Sequence, residues 1–353
     1  MTLDMNRTVG IVTRTKNRPV LLKRAMESAL NQSYPHWIQV IVNDGGAPDP
    51  VESLLAHFRE QAAGRIRVIH NAQSLGMEAA SNVGIRDLRG NVDYLVIHDD
   101  DDAWSPEFLT IAVGELEHVR DQMPSVQGVI TLANAVYERI EGNIVTIDHA
   151  EEFLPGINQG LVSFDQMLFQ SQFAPIQFLY RAEVVEKIGL YREDLPVLGD
   201  WEFNLRFMGQ YDIKVIPQIL AFYHHRVEKS GGTYSNSIYG DREKHDFYRQ
   251  LLKNEWLRED LANGRVSLGE LVNFRPHWAL VMHKLTQPQS MTATNTESSS
   301  WLSPFRLTMI WLGTGRSWHY VQQFFRYLKD QGLEKTLARL KLWYRIKSSR
   351  VVR

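Results

Sequence analysis

The 353-residue chain contains no cysteine. That absence removes a disulfide framework, a thiolate nucleophile and any cysteine-based metal site, and it fits a reducing compartment. No segment approaches ~18 uninterrupted apolar residues, so the sequence predicts no spanning helix. Met1–Thr8 is polar and short ahead of the first apolar run, which predicts no secretory signal. The expected location is the cytoplasm, with a peripheral place at the inner face of the cell membrane as the variant of that reading. The chain is long enough for one large domain with appendages, and no internal repeat breaks it up. Net charge is also scarce, at -2 overall. That near-neutrality hides an asymmetry. Trp301–Arg353 holds eleven Lys/Arg against two Asp/Glu, a net of +9, which leaves -11 for the rest. A basic tail on an acidic body implies an anionic partner for the tail.

What is present first is alternation. Val9–Val12, Val40–Val42, Ile66–Ile69 and Tyr94–Ile97 are short apolar runs ending in polar or glycine-rich residues, the pattern of buried strands. Between them Leu21, Leu22, Ala25, Met26, Ala29 and Leu30 fall at helical spacing after Pro19, a residue suited to opening a helix. Val51–Glu60 and Met77–Leu88 supply further helical stretches. This order predicts an α/β fold with a doubly wound, mostly parallel sheet, in which ligands sit beyond the carboxyl ends of the strands. From Val126 to Asp148 the pattern turns β-rich, with a hairpin expected at Glu141–Asn143. Ala182–Ile188, Trp201–Met208 and Asp241–Leu261 read as helices, and a strand is expected around Ile213–Ile216.

The strongest chemical feature is Asp99–Asp102, four consecutive carboxylates after the apolar run Tyr94–Ile97. Such a cluster raises its own proton affinity unless a cation is present. A hard dication, Mn²⁺ or Mg²⁺, takes oxygen ligands and leaves room for substrate phosphates, and it would neutralise a diphosphate leaving group. An acidic turn with Asp102 capping the next helix is the plainer alternative.

Thr8–Pro19, Ala29–Tyr34, Ile41–Gly46 and Asp99–Pro106 together resemble the successive motifs of family 2 glycosyltransferases, over about Thr8 to His225. The resemblance implies a GT-A fold, Rossmann-like in its sheet. It implies that Thr13, Arg14, Thr15 and Asp44 hold the nucleotide, that Gly76 lets backbone approach phosphate, and that Asp99 and Asp100 lie on the donor side. Asp101 and Asp99 then become the metal ligands. His224, in the run Tyr223–Arg226, becomes a candidate to complete the shell, with Arg226 suited to phosphate. Asp200 becomes the catalytic base, with Glu202 as runner-up and Arg206 as its partner one turn on. Four departures stand out. The first loop reads Arg14–Asn17 where Pro-Thr-Tyr-Asn is common, and Asn43–Gly46 replaces Asp-Asp-Gly-Ser. Ser81 stands where arginine is frequent, and Gly199 stands where a glutamate precedes the aspartate.

The expected organisation is a catalytic domain over residues 1–235, a helical extension over 236–286, a Ser/Thr-rich linker over 287–300 and a basic amphipathic helical tail over 301–353. Glu228–Asn236 is rich enough in glycine and serine to serve as a lid. The tail, with its aromatic residues and the stripe Leu333, Leu337, Leu340, Trp343, suits an anionic membrane surface; packing on the catalytic domain or on a second subunit in a homodimer is the equal alternative. No nucleic-acid reading motif accompanies the charge. The implied activity is inverting transfer of a sugar from a nucleotide-diphosphate sugar to a glycan or lipid-linked acceptor hydroxyl, in bacterial surface polysaccharide or glycolipid assembly. Two rivals remain at this point. One is a sugar-nucleotide nucleotidyltransferase, which needs a glycine-rich phosphate loop that Thr13–Arg18 lacks. The other is an inactive scaffold docking on membranes through its tail.

Overall fold

Apolar alternation in the first hundred residues does build a parallel sheet. In the computed structural model β1 (Val9–Thr15) lies between β2 (Trp37–Asp44) and β4 (Tyr94–Ile97), and β3 (Ile66–Asn71) extends β2, all four parallel. The structure describes residues 6–142, 144–154, 160–226 and 242–267. These fall in one unit, Met1–Leu268. The expected linker, tail and lid, and the parts of the helical extension before 242 and after 267, lie outside the described residues.

Crossovers are made by α1 (Pro19–Leu30), by α2 (Pro48–His57) with the single turn α3 (Arg59–Ala62), and by α4 (Met77–Leu88). The sequence expected one helix over Val51–Glu60; it opens earlier because Pro48 occupies its first turn, where a missing N–H costs nothing. Beyond β4 the sheet changes character. Its order is β3-β2-β1-β4-β8-β6-β9-β5, where β5 is Ala103–Trp104, β6 Val126–Glu141, β8 Phe178–Arg181 and β9 Asp212–His225. The β8 strand runs antiparallel to both neighbours, and β9 pairs parallel to β6 and antiparallel to β5. The hairpin expected near Glu141 is present, with β7 (Ile144–Glu152) returning along β6 through Gly142 at φ +63°.

The strand expected at Ile213–Ile216 is much longer, continuing to His225 through register shifts against β6. Pairing on both sides keeps it extended past Pro217, and that extension carries Tyr223–His225 to the carboxyl end of β4.

Residues alternate between two apolar clusters. Val9, Ile11 and Ile41 join α1, α2 and α5 (Phe108–Val119) in one. Val12, Val40 and Val42 join α4 and α8 (Gly199–Met208) in the other, together with Leu252 of α9 (Arg242–Ala262). The two short helices α6 (Phe164–Phe169) and α7 (Val184–Ile188) flank α8. Helix α9 therefore packs on this unit through Leu252.

Candidate active site

The end of β1 shows how strand periodicity sorts the first motif. Thr13 is fully buried, and its hydroxyl accepts from Gln39 Nε2 at 2.9 Å. Its side chain therefore faces the sheet interior, outside the cavity lining. Arg14 and Thr15 emerge at the carboxyl end and line a cavity of about 470 Å³, together with Lys16, Asn17 and Arg18. That volume suits a small-molecule ligand. Pro19 opens α1 immediately afterwards and fixes where this loop ends.

Asp44 lines the same cavity, but its acceptor sites are taken. It accepts from Asn71 Nδ2 (2.9 Å), Ser74 Oγ (2.7 Å), Leu75 N (2.8 Å) and Gly76 N (3.0 Å). Four donors fill the capacity of a carboxylate. Burial pushes this carboxyl up, yet those bonds outweigh it and hold Asp44 below its ordinary range. Asp44 thus shapes the 71–76 turn, and in this arrangement has no acceptor left for a base. Gly76 caps α4 at φ +97°, a conformation that demands glycine, and presents its backbone to the cavity.

The acidic run leaves β4 and meets four arginines. Arg14 grips Asp99 through Nε (2.7 Å) and Nη2 (3.1 Å). Thr15 donates to Asp100 (2.7 Å), and Arg18 lies 3.5 Å from Asp100 and 3.9 Å from Asp101. Arg226 pairs with Asp101. Arg24 of α1 donates to the Asp101 carbonyl (2.6 Å) and to Glu138 of β6 (2.6 Å). Glu138, wholly buried, also receives Arg226 (2.8 Å) and the His224 ring (2.8 Å). Burial raises Asp101, but Arg226, Arg18 and Arg24 outweigh it and keep it ionised. Asp102 is raised well above its usual value by burial and by Asp101 and Asp99. It caps no helix; its Oδ1 accepts from the His224 backbone N–H at 2.9 Å.

Asp200 enters on α8, whose N-terminus follows Leu198 in the left-handed region (φ 67°). That conformation is costly for a bulky side chain and marks a strained approach to the helix. The Asp200 carboxylate accepts from Trp201 N at 2.8 Å. Burial pushes it up, while Arg14 pulls the other way and Asp99 adds to the rise. It stands outside the cavity lining, within electrostatic reach of both. Glu202, the runner-up, is taken by Arg206 one turn on (2.7 Å), as its spacing predicts.

Comparison with known proteins bears directly on this arrangement. The profile described as Glycosyl transferase family 2 matches residues 10–188, just over half of the chain. The chain belongs to glycosyltransferase family 2. An uncharacterized glycosyltransferase of Bacillus subtilis, YwdF, is 26% identical over 217 residues, covering 61% of this chain and 73% of that protein. The putative colanic acid biosynthesis glycosyl transferase WcaA of Escherichia coli is 34% identical over 106 residues, covering 30% of this chain and 37% of WcaA. Staphylococcus aureus TarS 1–349, solved in complex with UDP, superimposes with a TM-score of 0.48 at 15% identity, over 62% of this chain and 60% of that one. The assignment rests on the family match.

As a family 2 transferase, the chain is implied to use a divalent metal, and the donor set bears on that. Asp99 and Asp101 offer only oxygen, and Asp102 Oδ2 beside them is buried without a hydrogen-bond partner. Among the described residues no three His, Asp or Glu converge into a ready-made cage. The set fits an open site, in which a hard dication takes one or two carboxylates and completes its shell with water and phosphate. The His224 ring is held through Nδ1 by Glu138 at 2.8 Å, a carboxylate–imidazole arrangement of the kind that orients metal-ligating histidines. Reading the sequence also missed Arg18, Arg24 and Glu138. Arg24 sits on the flank of the apolar stripe of α1, and Glu138 reads as an ordinary outward residue of a β-rich stretch. Only strand register places them together.

Proposed function

We propose that this transferase moves a sugar from a nucleotide-diphosphate sugar to an acceptor hydroxyl, with inversion and with a divalent metal held at Asp101 and Asp99. The carrying observation is the cavity at the strand ends, walled by Lys16 and Arg18 and floored by Asp99–Asp101, with Asp200 beyond its edge. A metal bound there would supply Lewis-acid neutralisation of the diphosphate. The chain's own residues do the rest. Arg18 and Lys16 meet phosphate charge, with the Gly76 backbone close by. Arg14 holds Asp99 in place. Asp200, with raised proton affinity, takes the proton of the acceptor hydroxyl as its oxygen attacks the anomeric carbon. The bond from that carbon to the diphosphate oxygen breaks, and the nucleotide diphosphate leaves with the electron pair.

Surface polysaccharide or glycolipid assembly is the setting we infer, supported by the similarity to WcaA, a putative colanic acid biosynthesis glycosyl transferase. No helix among the described residues is long and apolar enough to cross a membrane. We place the basic tail, which lies outside the described residues, on the inner membrane surface near a lipid-linked acceptor; flotation of the full chain with anionic vesicles, but not neutral ones, tests this.

The central test incubates the chain with a panel of nucleotide sugars, Mn²⁺ and glycan or lipid-linked acceptors. Release of nucleoside diphosphate, and a product whose anomeric configuration is opposite to the donor's by NMR, is the expected result. Retained configuration, or stabilisation by nucleoside triphosphates and pyrophosphate alone in thermal shift, would overturn it.

A further inference from the structure

Glu78, in the first turn of α4, is buried at 4% exposure, and its Oε2 makes no hydrogen bond. Its nearest cation is Arg14, at 3.6 Å. Such a group is costly to bury and needs a reason. The reason lies across from it at Gly199. A Cβ at position 199 would stand 2.3 Å from Glu78 Cδ and 2.4 Å from Oε1. Gly199 needs no special backbone freedom, since the left-handed residue here is Leu198. The glycine is there for space, and Glu78 fills the space.

A matching exchange lies one turn further along α4. Ser81 is small and buried, and the guanidinium of Arg14 reaches it from β1, donating to Ser81 Oγ (3.1 Å) and to the Met77 carbonyl (3.2 Å). Positions 81 and 199 are two of the places where this chain departs from the family pattern, losing an arginine and a glutamate. An arginine and a glutamate arrive in the same two spaces from positions 14 and 78, facing each other. Two independent vacancies filled by the two matching residue types make one coupled exchange.

We propose that Arg14 and Glu78 are a relocated pair, in which Glu78 is a positioning residue that sets Arg14 against Asp99 and backs the N-terminal turn of α8 carrying Asp200. The proposal rests on the reading of the site as a glycosyltransferase centre and names residues that reading does not require. Glu78 touches no cavity surface, so it acts through its neighbours. Burial and the nearby Asp200, Asp99 and Glu202 push its carboxyl up to about 7 against the pull of Arg14, which agrees with a tightly held, sparsely compensated group.

The experiment compares the wild-type chain with Glu78→Ser, Gly199→Glu and the double variant, by thermal unfolding and by donor turnover. Gly199→Glu alone forces two carboxylates into one space. It is expected to unfold at clearly lower temperature and to lose roughly 10²-fold or more in kcat. Glu78→Ser is expected to stay folded and to lose about 10-fold in kcat with donor KM nearly unchanged. The double variant should regain the unfolding temperature and bring kcat back to within a few-fold of wild type, the non-additivity expected of residues that share one space. A folded double variant no more active than Glu78→Ser, or a Glu78→Ser variant with wild-type kcat, would overturn the positioning role. If the wild-type chain turns over no nucleotide sugar, the glycosyltransferase reading fails by itself. The shared space is then decided by unfolding, with no recovery in the double variant counting against it.

Discussion

Two sets of buried carboxylates in this site behave in opposite ways. Asp101 and Glu138 are matched by Arg18, Arg24 and Arg226, whereas Asp100 beside them is pushed up to about 7 by burial and by Asp101. Glu78 and Asp200 have Arg14 as their main counter-charge, and both are pushed toward protonation by burial. In the first group the arginines outweigh burial at Asp101, and the hydrogen bonds and charges of His224 and Arg24 do so at Glu138. Residue type is the same; compensation differs. A compensated cluster keeps a fixed negative charge, which suits holding cations and orienting phosphate. An uncompensated one stores affinity for a proton, which suits a base.

The sharpest way to break this contrast is to remove the proton acceptor. Asp200→Asn is expected to lower kcat by about 10²–10⁴-fold with donor binding intact, measured by steady-state turnover and by calorimetric titration of the nucleoside diphosphate. Loss of donor binding instead would move Asp200 into the first group. Next comes Asp101→Asn, expected to lower kcat by roughly 10²–10³-fold and to weaken nucleoside diphosphate binding in the presence of Mn²⁺; unchanged binding would show that the cluster serves only its arginines.

Stability divides the groups again. Glu138→Ala strands Arg24, Arg226 and His224 in a buried place and should cost about 3–5 kcal/mol in denaturant unfolding. Glu78→Gln should instead remove a pH dependence. The folded-state pKa of Glu78, about 7, lies above its unfolded value. Its contribution to stability is therefore fully present below the unfolded pKa and lost as pH rises through about 7. Relative to Glu78→Gln, the wild-type chain should lose on the order of 2–3 kcal/mol between pH 4 and pH 8, read from urea midpoints. A parallel pair of pH curves would mean that Glu78 is ionised at no cost. The smallest effect is expected at an exposed side chain beside the hairpin turn: Ile144→Thr at the start of β7 should shift stability by less than about 0.5 kcal/mol.

Much of the N-terminal half of the sheet was legible in advance. Helix α4 has the bounds that its periodicity implies, β4 is where the apolar run lies, and the acidic turn follows it. Those features are local, set by apolar spacing, proline and the loop chemistry of adjacent residues. The inward turn of the Thr13 side chain was not legible, because a motif quoted in line ignores that successive residues in a strand face opposite ways. Asp44 lines the cavity, but its four donors come from a turn some thirty residues on, which no spacing reveals. His224 stood out by residue type, but its contact with Glu138 follows only from the extension of β9.

By itself, the amino-acid order determined the alternating strands and helices, the carboxylates at the end of β4 and the membership of family 2, because each is carried by neighbours in the chain. Tertiary structure alone decided which carboxylates keep their charge. That outcome depends on arginines brought from β1, α1 and the end of β9, and electrostatic compensation acts through space, over a few ångströms, regardless of separation in sequence.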